Sequence, residues 1–242
     1  MKIWAHRGCS QMYPENTLLA FEKASALKGL TGIELDIQLT KDGYMVVCHD
    51  EKVDRTTDGI GELRGYTLAE LKKLRIDAGN GKWEQIPTIE EVFDLIKNKC
   101  LWGGVKLNIE LKNSIFPFEG MERKIIDLVH QYGLQNRVIY SSFNALSLER
   151  IREIDKDAEI GILDRNISDC LYKLKGGCGA TALHPYWRGM DLPSDRVKDY
   201  VVRAWFTGHL YPEKPTGTKL NLTVLEQQGI TDVFLNEPER YL

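Results

Sequence analysis

Residues 137–163, RVIYSSFNALSLERIREIDKDAEIGIL, contain a strand, a helix and a second strand in direct succession. The runs RVIYSSF (137–143) and AEIGIL (158–163) are short and apolar, as buried strands are, and the segment 145–155 between them has helical periodicity. Two strands that are connected through a helix lie parallel in one sheet. This stretch therefore predicts a parallel sheet covered by helices.

The same alternation continues over nearly the whole chain. Six further strands are predicted at 2–6, 32–40, 105–112, 180–185, 200–208 and 231–237. Helices are predicted at 16–28 with Asn16 as N-cap, at 118–133, 167–175, 194–199 and 222–228, and after the capping boxes Thr67-x-x-Glu70 and Thr88-x-x-Glu91. Eight strand–helix units without a linker predict a single-domain (β/α)8 barrel, an α/β fold, over residues 1–242.

One segment does not fit the repeat. In LTKDGYMVVCHDE (39–51), Lys41-Asp42-Gly43 is a tight-turn signal between two strand-like runs. Strands joined so closely are antiparallel, so MVVCHD (45–50) cannot be the next parallel strand of the barrel. We expect a hairpin above the barrel mouth, at the start of an insertion over about residues 44–85. Long connections on the C-terminal face are where barrel enzymes build their active sites.

Composition and charge limit the partners of the chain. Its 242 residues include 32 Lys and Arg against 35 Asp and Glu, a net charge of −3, so no general positive field attracts nucleic acid. No apolar run reaches the roughly 18 residues of a membrane span, and no signal peptide opens the sequence. We therefore expect no stable membrane insertion and a cytoplasmic location. The sequence does not indicate an oligomeric state.

The cysteines indicate no special chemistry. There are 5, without CxxC spacing, which predicts neither a disulfide framework nor a thiolate zinc site. Cys9 and Cys48 stand near the histidines discussed below, which raises the alternative of a Cys–His nucleophile. Small thiols are common in buried strands, so we disfavour that alternative.

Carboxylates on two neighbouring strands suggest a metal site. Glu34 and Asp36 are two residues apart on one strand, so both point to one face, where burial is costly unless a cation neutralises them. Salt bridges with basic neighbours are the alternative for this pair alone. Glu110, on the following barrel strand, adds a third carboxylate at the same rim. Such oxygen ligands suit one divalent cation, Mg²⁺ or Ca²⁺ with Mn²⁺ also possible, rather than zinc.

Two histidines are expected at the same rim. His6 ends the first strand, and His49 ends the hairpin that leaves the second strand. Imidazole changes charge near neutral pH, which suits an acid–base pair. Of the other histidines, His130 falls in a helix and is expected at the surface, whereas His184 and His209 end strands, where a structural or a functional role is open.

Arg7 and Lys112 supply the positive charge that an anionic substrate needs. Arginine presents a planar fork to two phosphate oxygens, and lysine presents a point charge. Metal, cations and imidazoles together indicate phosphoryl chemistry, and the sequence has neither a P-loop nor a Rossmann fingerprint for a nucleotide. His6 and Arg7 are adjacent, so they serve one site only if the regular pleat ends there, which Gly8 permits.

Taken together, these motifs resemble the glycerophosphodiester phosphodiesterase family of bacterial type, over essentially the whole chain. The matching segments are His6-Arg7-Gly8, Pro14-Glu15-Asn16-Thr17, Glu34-Leu35-Asp36, Thr40-Lys41-Asp42-Gly43, Val46-Val47-Cys48-His49-Asp50, Arg55-Thr56-Thr57-x-Gly59, Pro87-Thr88-Ile89-Glu90-Glu91-Val92, Ile109-Glu110-Leu111-Lys112 and Ser141-Ser142-Phe143. The combination is much more specific than any single motif.

The resemblance implies a barrel enzyme that hydrolyses glycerophosphodiesters to sn-glycerol 3-phosphate and an alcohol. It makes His6 and His49 the general base and acid, with His6 favoured as the base of the first step. It also makes Glu34, Asp36 and Glu110 the metal ligands, and Arg7 and Lys112 contacts of the substrate phosphate. In the family the glycerol hydroxyl is thought to attack phosphorus first, giving a cyclic phosphate that water then opens.

The C-terminal third departs from the family pattern. Trp205 stands at the family's tryptophan position and is expected to contact the glycerol moiety, with a core position as the alternative. Phe206-Thr207-Gly208 replaces the residues that usually follow, and Asn236 replaces a common aspartate. We expect these departures to affect substrate preference and not the core chemistry.

Two alternative functions compete with this one. The first is a related phosphodiesterase that acts on lysophospholipids or other phosphodiesters. The second is a non-catalytic module that binds glycerophosphodiesters. It is disfavoured because binding alone does not require proton-transfer groups.

Overall fold

The computed structural model describes residues 1–206 and 219–242. Its strands are β1 (Lys2–His6), β2 (Gly32–Leu39), β3 (Met45–Val47), β4 (Ile76–Asp77), β5 (Trp83–Glu84), β6 (Lys106–Leu111), β7 (Val138–Ser142), β8 (Glu159–Asp164), β9 (Ala182–Pro185), β10 (Val201–Trp205) and β11 (Asp232–Leu235). Its α-helices are α1 (Leu18–Ser25), α2 (Leu68–Leu71), α3 (Ile89–Leu101), α4 (Met121–Gln131), α5 (Ala145–Ile154), α6 (Ile167–Lys175) and α7 (Leu222–Gln227). Short 3-10 turns lie at Leu63–Gly65, Ser194–Arg196 and Pro238–Arg240.

Eight of these strands close into a parallel barrel. Their order around the ring is β1-β2-β6-β7-β8-β9-β10-β11, and β11 pairs with β1 to close it. The main core lies between the outer faces of the strands and the surrounding helices. Trp4, Ile139 and Phe234 form a separate cluster, which strand alternation places inside the barrel. The predicted (β/α)8 barrel is confirmed.

Capping side chains mark the first residues of several helices. The capping boxes at Thr67 and Thr88 are both present and open α2 and α3. At α1 the N-cap is Thr17, whose hydroxyl accepts from the backbone of Ala20. The prediction of Asn16 as N-cap is wrong: Asn16 adopts a left-handed φ of 56°, and its side-chain amide donates a hydrogen bond to the buried carboxylate of Asp36.

The helix predicted at 194–199 is also wrong. Between β9 and β10 the structure has only the 3-10 turn Ser194–Arg196. Val197 is the one fully buried residue of segment 194–199, so this segment has no apolar stripe that a helix could bury. β10 ends at Trp205, and Thr207, Gly208 and His209 lie outside the described residues.

The hairpin after β2 forms as predicted and starts the insertion. β3 runs antiparallel to the end of β2, with Val47 opposite Ile37, and the turn contains Gly43 at a φ of 81°. The following residues hold α2, the β4–β5 hairpin and a small apolar core of their own, composed of Val46, Cys48, Val53, Leu63, Leu71, Ile76 and Ile86. The insertion therefore forms a compact layer at the C-terminal end of β2.

The described helices include none with both the length and the apolar character needed to cross a lipid bilayer.

Candidate active site

A cavity of about 320 Å³ opens at the C-terminal rim of the barrel. Its lining residues are His6, Arg7, Glu34, His49, Asn108, Glu110, Ser141, Phe143, Leu163, Trp205, Phe206 and Phe234. Most of the charged and polar lining side chains come from β1, β2, β6 and the hairpin, whereas the aromatic and aliphatic ones come from β7, β8, β10 and β11 or the residues that directly follow them. Most of the residues predicted for the chemistry thus share one cavity.

Strand register brings the three predicted metal ligands together. Glu34 and Asp36 lie on the same face of β2, and Asp36 stands directly opposite Glu110 of β6. One carboxylate oxygen of each residue lies within 4.8 Å of the others, and all three side chains are buried. Adjacent parallel strands therefore gather three carboxylates at a single point.

This cluster fits a hard divalent cation. Burial, followed by the charges of Asp36 and Glu110, raises the pKa of Glu34 well above its ordinary value. Asp36 Oδ1 is buried and has no hydrogen-bond donor among the described residues. Repelling carboxylates and a buried oxygen without a donor are both relieved by an oxygen-seeking ion such as Mg²⁺ or Ca²⁺.

Arg7 and Lys112 flank the carboxylates. Arg7 Nε lies 3.5 Å from Asp36 Oδ2, while Lys112 Nζ lies 2.9 Å from Glu110 Oε1 and 3.9 Å from Asp36 Oδ1. Burial alone would lower the pKa of Lys112, but the charges of Glu110 and Asp36 outweigh it and raise the pKa. Both cations are therefore charged, and the salt bridges predicted as the alternative role of the carboxylates are present in the acidic cluster.

The end of β1 is built to turn Arg7 into the site. The regular pleat stops at Arg7 itself, with a φ of 57°, and Gly8 follows at 83°. The Arg7 backbone N–H donates to Glu34 Oε2 at 3.0 Å. A Cβ on Gly8 would lie 2.7 Å from the backbone of Ala20, so the close approach of α1 also requires glycine. The predicted break after His6 is confirmed.

His6 lies between the carboxylates and the last barrel strand. Its Nδ1 is 2.7 Å from Asn236 Oδ1, and its Nε2 is 3.8 Å from Glu34 Oε2. Burial and the charge of Arg7 lower the pKa of His6 to about 3, so the imidazole is neutral. Since an amide oxygen only accepts, Nδ1 carries the hydrogen and Nε2 keeps a free lone pair.

Asn236 lies next to His6. This residue follows β11, and its side chain contacts His6 directly. Its expected effect on substrate preference stays a prediction. The register explains the contact: Ala5 pairs with Leu235, so the next residues on the two strands, His6 and Asn236, are neighbours.

His49 reaches the cavity from the hairpin. Its Nδ1 donates to Asp50 Oδ1 at 2.6 Å, which leaves Nε2 as the nitrogen available to a ligand. Gln38 of β2 fixes the segment 48–50 to the barrel, since its side-chain amide donates to the carbonyls of Cys48 and Asp50 at 3.0 and 2.7 Å. Neither Asp50 nor Gln38 is among the residues predicted for the site, because their contacts with the His49 segment depend on the folded hairpin.

Trp205 both lines the cavity and packs among aromatic side chains, so its position fits both the substrate contact and the core position expected as alternatives. The half-buried indole lines the cavity and donates to the Asp164 carbonyl at 3.3 Å. It packs edge-on against Phe143, with ring centroids 6.0 Å apart, and lies tilted against Tyr186 at 4.9 Å. Phe206 is buried and stacks on Trp187 at 5.0 Å.

The remaining histidines lie elsewhere. His184 is buried inside the barrel, with Nε2 3.3 Å from Arg203 Nη1 and its ring edge-on to Phe234. His130 is exposed in α4 and lies 3.2 Å from Asp155. His209 falls outside the described residues.

The cysteines do not provide a nucleophile at neutral pH. All five thiols are buried and free, and burial raises the pKa of both Cys9 and Cys48 to about 12. Protonated thiols are poor nucleophiles, which disfavours the Cys–His alternative.

Comparison with known proteins agrees with this picture. Residues 6–167 match the model of the glycerophosphoryl diester phosphodiesterase family. A glycerophosphodiester phosphodiesterase of Bacillus altitudinis is 36% identical over 99% of this chain and 96% of its own length. One from Caldanaerobacter subterraneus subsp. tengcongensis is 47% identical over 66% of this chain and 65% of its own. An Oleispira antarctica phosphodiesterase, solved with the product sn-glycerol-3-phosphate, is similar with a TM-score of 0.78 and 29% identity, covering 99% of this chain and 94% of that one.

Proposed function

Since this chain belongs to the glycerophosphoryl diester phosphodiesterase family, we propose that it hydrolyses glycerophosphodiesters to sn-glycerol 3-phosphate and an alcohol. The observation that carries the proposal is the joint position of His6 and His49 in one cavity beside three buried carboxylates. The product complex of the Oleispira relative supports a small glycerophosphodiester as the substrate.

Glu34, Asp36 and Glu110 would hold one divalent cation, Mg²⁺ or Ca²⁺ with Mn²⁺ also possible. Such an ion, when bound, neutralises the carboxylates and stabilises negative charge on phosphoryl oxygens. Arg7 and Lys112 add two fixed positive charges beside it. Their role is to bind the phosphate, the guanidinium as a fork and the ammonium as a point charge.

The two histidines divide the proton transfers. His6, neutral and with Nε2 free, takes the proton of the glycerol hydroxyl as that oxygen attacks phosphorus. His49 gives a proton to the departing alcohol oxygen, and a cyclic phosphate results. Water then opens the ring while the two imidazoles exchange roles, which restores both to their starting states.

The aromatic side of the cavity is proposed to contact the carbon atoms of the substrate. Trp205 and Phe143 both line the cavity and pack against each other. A lysophospholipid is the alternative substrate for the same chemistry and belongs in the same assay. The cytoplasmic location expected from the sequence stays a prediction.

The test is product formation from glycerophosphocholine with Mg²⁺, Ca²⁺ or Mn²⁺. We expect sn-glycerol 3-phosphate, with loss of the activity in EDTA and recovery on adding the metal. His6→Ala and His49→Ala should each lower the rate by about 10²–10⁴-fold, as loss of an acid or base does. His130→Ala is the matched control, because this histidine is exposed on α4, and it should keep the wild-type rate.

Several outcomes would contradict the proposal. Turnover that is insensitive to EDTA would refute the metal requirement. Wild-type activity in His6→Ala or His49→Ala would refute the proton-transfer role of that histidine. Binding of glycerophosphocholine without any product at saturating metal would favour the non-catalytic binding module.

A further inference from the structure

Arg55 connects the two segments that carry His49 and Arg7. Its Nε and Nη2 donate to the Asp50 carboxylate at 2.5 and 3.1 Å. Its Nη1 and Nη2 also donate to the two oxygens of Glu15, at 2.8 and 2.7 Å. One guanidinium therefore makes four hydrogen bonds to two carboxylates on different parts of the chain.

Each carboxylate in turn holds a residue of the cavity. Asp50 Oδ1 accepts from His49 Nδ1 at 2.6 Å, and Glu15 Oε1 accepts from Arg7 Nη1 at 2.9 Å. The contacts form a continuous series from Arg7 through Glu15, Arg55 and Asp50 to His49. Glu15 belongs to the loop after β1, whereas Arg55 and Asp50 belong to the insertion, so the series joins the insertion to the barrel.

This is not an ordinary exposed ion pair. Exposed pairs contribute little, but bidentate geometry and a network change that expectation. Glu15 is buried, and although burial would raise its pKa, the hydrogen bonds from Arg55 and the charges of Arg7 and Arg55 lower it to about 2. A buried carboxylate held between two guanidinium groups is costly to leave unpaired, which makes the arrangement specific.

We propose that Arg55 is a positioning residue for the reaction: it holds His49 through Asp50 and Arg7 through Glu15, and so sets the distance between the proton-transfer group and the phosphate-binding cation. The inference rests on the proposed function, because the roles of His49 and Arg7 do. A misplacement of about 1 Å at a reacting group can cost roughly 10²-fold in rate, so loss of this connection should be visible in turnover.

The experiment is steady-state kinetics on glycerophosphocholine with saturating Mg²⁺, comparing wild type with Arg55→Gln, Arg55→Lys and Arg64→Gln. Arg55→Gln should lower kcat/KM by about 10–100-fold, with part of the loss in kcat through His49 and part in KM through Arg7. Arg55→Lys keeps the charge but loses the fork, so it should recover only part of the loss. Arg64 is the matched control: it is an insertion arginine paired with exposed Glu62, and its replacement should change kcat/KM by less than about twofold.

Two further measurements separate positioning from a merely structural effect. Millimolar guanidinium should restore part of kcat in Arg55→Ala, while sodium chloride at equal ionic strength should not. In a double-mutant cycle with Asp50→Asn, the combined loss should be smaller than the product of the single losses, because both act through His49.

The outcomes are distinguishable. An inactive wild type would refute the proposed function, and this inference with it. An active wild type with an unchanged Arg55→Gln variant, additive losses in the cycle, or rescue by salt alone would overturn only the role of Arg55. Should Arg55→Gln fail to fold, the folded Arg55→Lys variant decides, and wild-type kcat and KM in it would refute the need for the guanidinium fork.

Discussion

His6 Nδ1 lies 2.7 Å from Asn236 Oδ1, so the first barrel strand and the residue after the last one meet at the proposed general base. The contact exists because β1 and β11 close the ring in parallel register. A neutral amide at this place holds the ring without adding a charge, and it orients the free Nε2 lone pair toward the carboxylate side.

Replacing Asn236 should therefore affect turnover. We expect Asn236→Leu to lower kcat by about 10–100-fold, since the Nδ1 hydrogen loses its acceptor and the ring its orientation. Asn236→Asp keeps an acceptor and should retain more activity than Asn236→Leu. Steady-state kinetics at saturating metal gives the comparison, and equal kcat in Asn236→Leu and wild type would show that this contact is not needed.

Metal binding should be measurable without turnover. An ion that binds the native state alone stabilises it by RT ln(1 + [ion]/Kd), about 2.7 kcal/mol at one hundred times Kd. Mg²⁺, Ca²⁺ or Mn²⁺ should thus raise the Tm of wild type and of Asp127→Asn, a control in which an exposed acid of α4 is removed. Glu110→Gln should respond much less, and an equal response there would place the ion elsewhere.

Without a metal ion, the carboxylates of the cluster should lower the free energy of unfolding. Burial and the charges of Asp36 and Glu110 raise the pKa of Glu34, so its ionised form is disfavoured in the folded state. In EDTA, Glu34→Gln should therefore be at least as stable as wild type. A gain of about 1 kcal/mol would appear as an increase of roughly 2–4 °C in Tm for a chain of this size. A clear decrease in Tm would contradict this account of the cluster.

His184 should make stability fall on mild acidification. Burial and the charge of Arg203 lower its pKa in the folded state, so below the unfolded value near 6.5 the unfolded chain binds a proton that the folded chain does not. This contribution decreases the free energy of unfolding as pH falls below about 6.5, by up to roughly 1.4 kcal/mol per pH unit. His184→Gln should have a shallower slope between pH 6.5 and 5 in urea titrations, and parallel slopes would refute the assignment.

Trp205 should contribute to substrate binding more than to chemistry. Its ring lines the cavity from the end of β10, whereas His6 and the carboxylates come from β1, β2 and β6. Trp205→Ala should raise KM for glycerophosphocholine by about 5–30-fold with a small change in kcat, equivalent to roughly 1–2 kcal/mol of lost contact. A variant that loses kcat and Tm together, with KM unchanged, would instead identify a core residue.

Local patterns were sufficient for most of the barrel. The alternation of strands and helices depends on the burial of apolar faces, which periodicity records directly, and the turn at Gly43 required an antiparallel β3. The segment 194–199 shows the limit of that reasoning. A helix is predicted there, but the segment has no apolar stripe to bury, and it forms only a 3-10 turn.

The chemistry at the rim was predictable for a similar reason. Glu34 and Asp36 share a face because strand side chains alternate, and Glu110 joins them because neighbouring parallel strands end together. Asn16 and Arg55 belong to recognisable motifs, but their hydrogen-bond partners lie on other segments. The local sequence predicts Asn16 as a helix cap, whereas in the structure its side-chain amide donates to Asp36.

The sequence alone determined the barrel, the antiparallel hairpin and the set of ionisable residues at one rim, because all three follow from periodicity, turn chemistry and strand alternation within short stretches. Only the tertiary structure decided which residues hold those groups in place. Ring closure brings Asn236 to His6, 230 residues away in the chain, and the folded insertion brings Arg55 to Glu15, 40 residues away. Such contacts depend on how distant segments pack, which no local pattern of residues encodes.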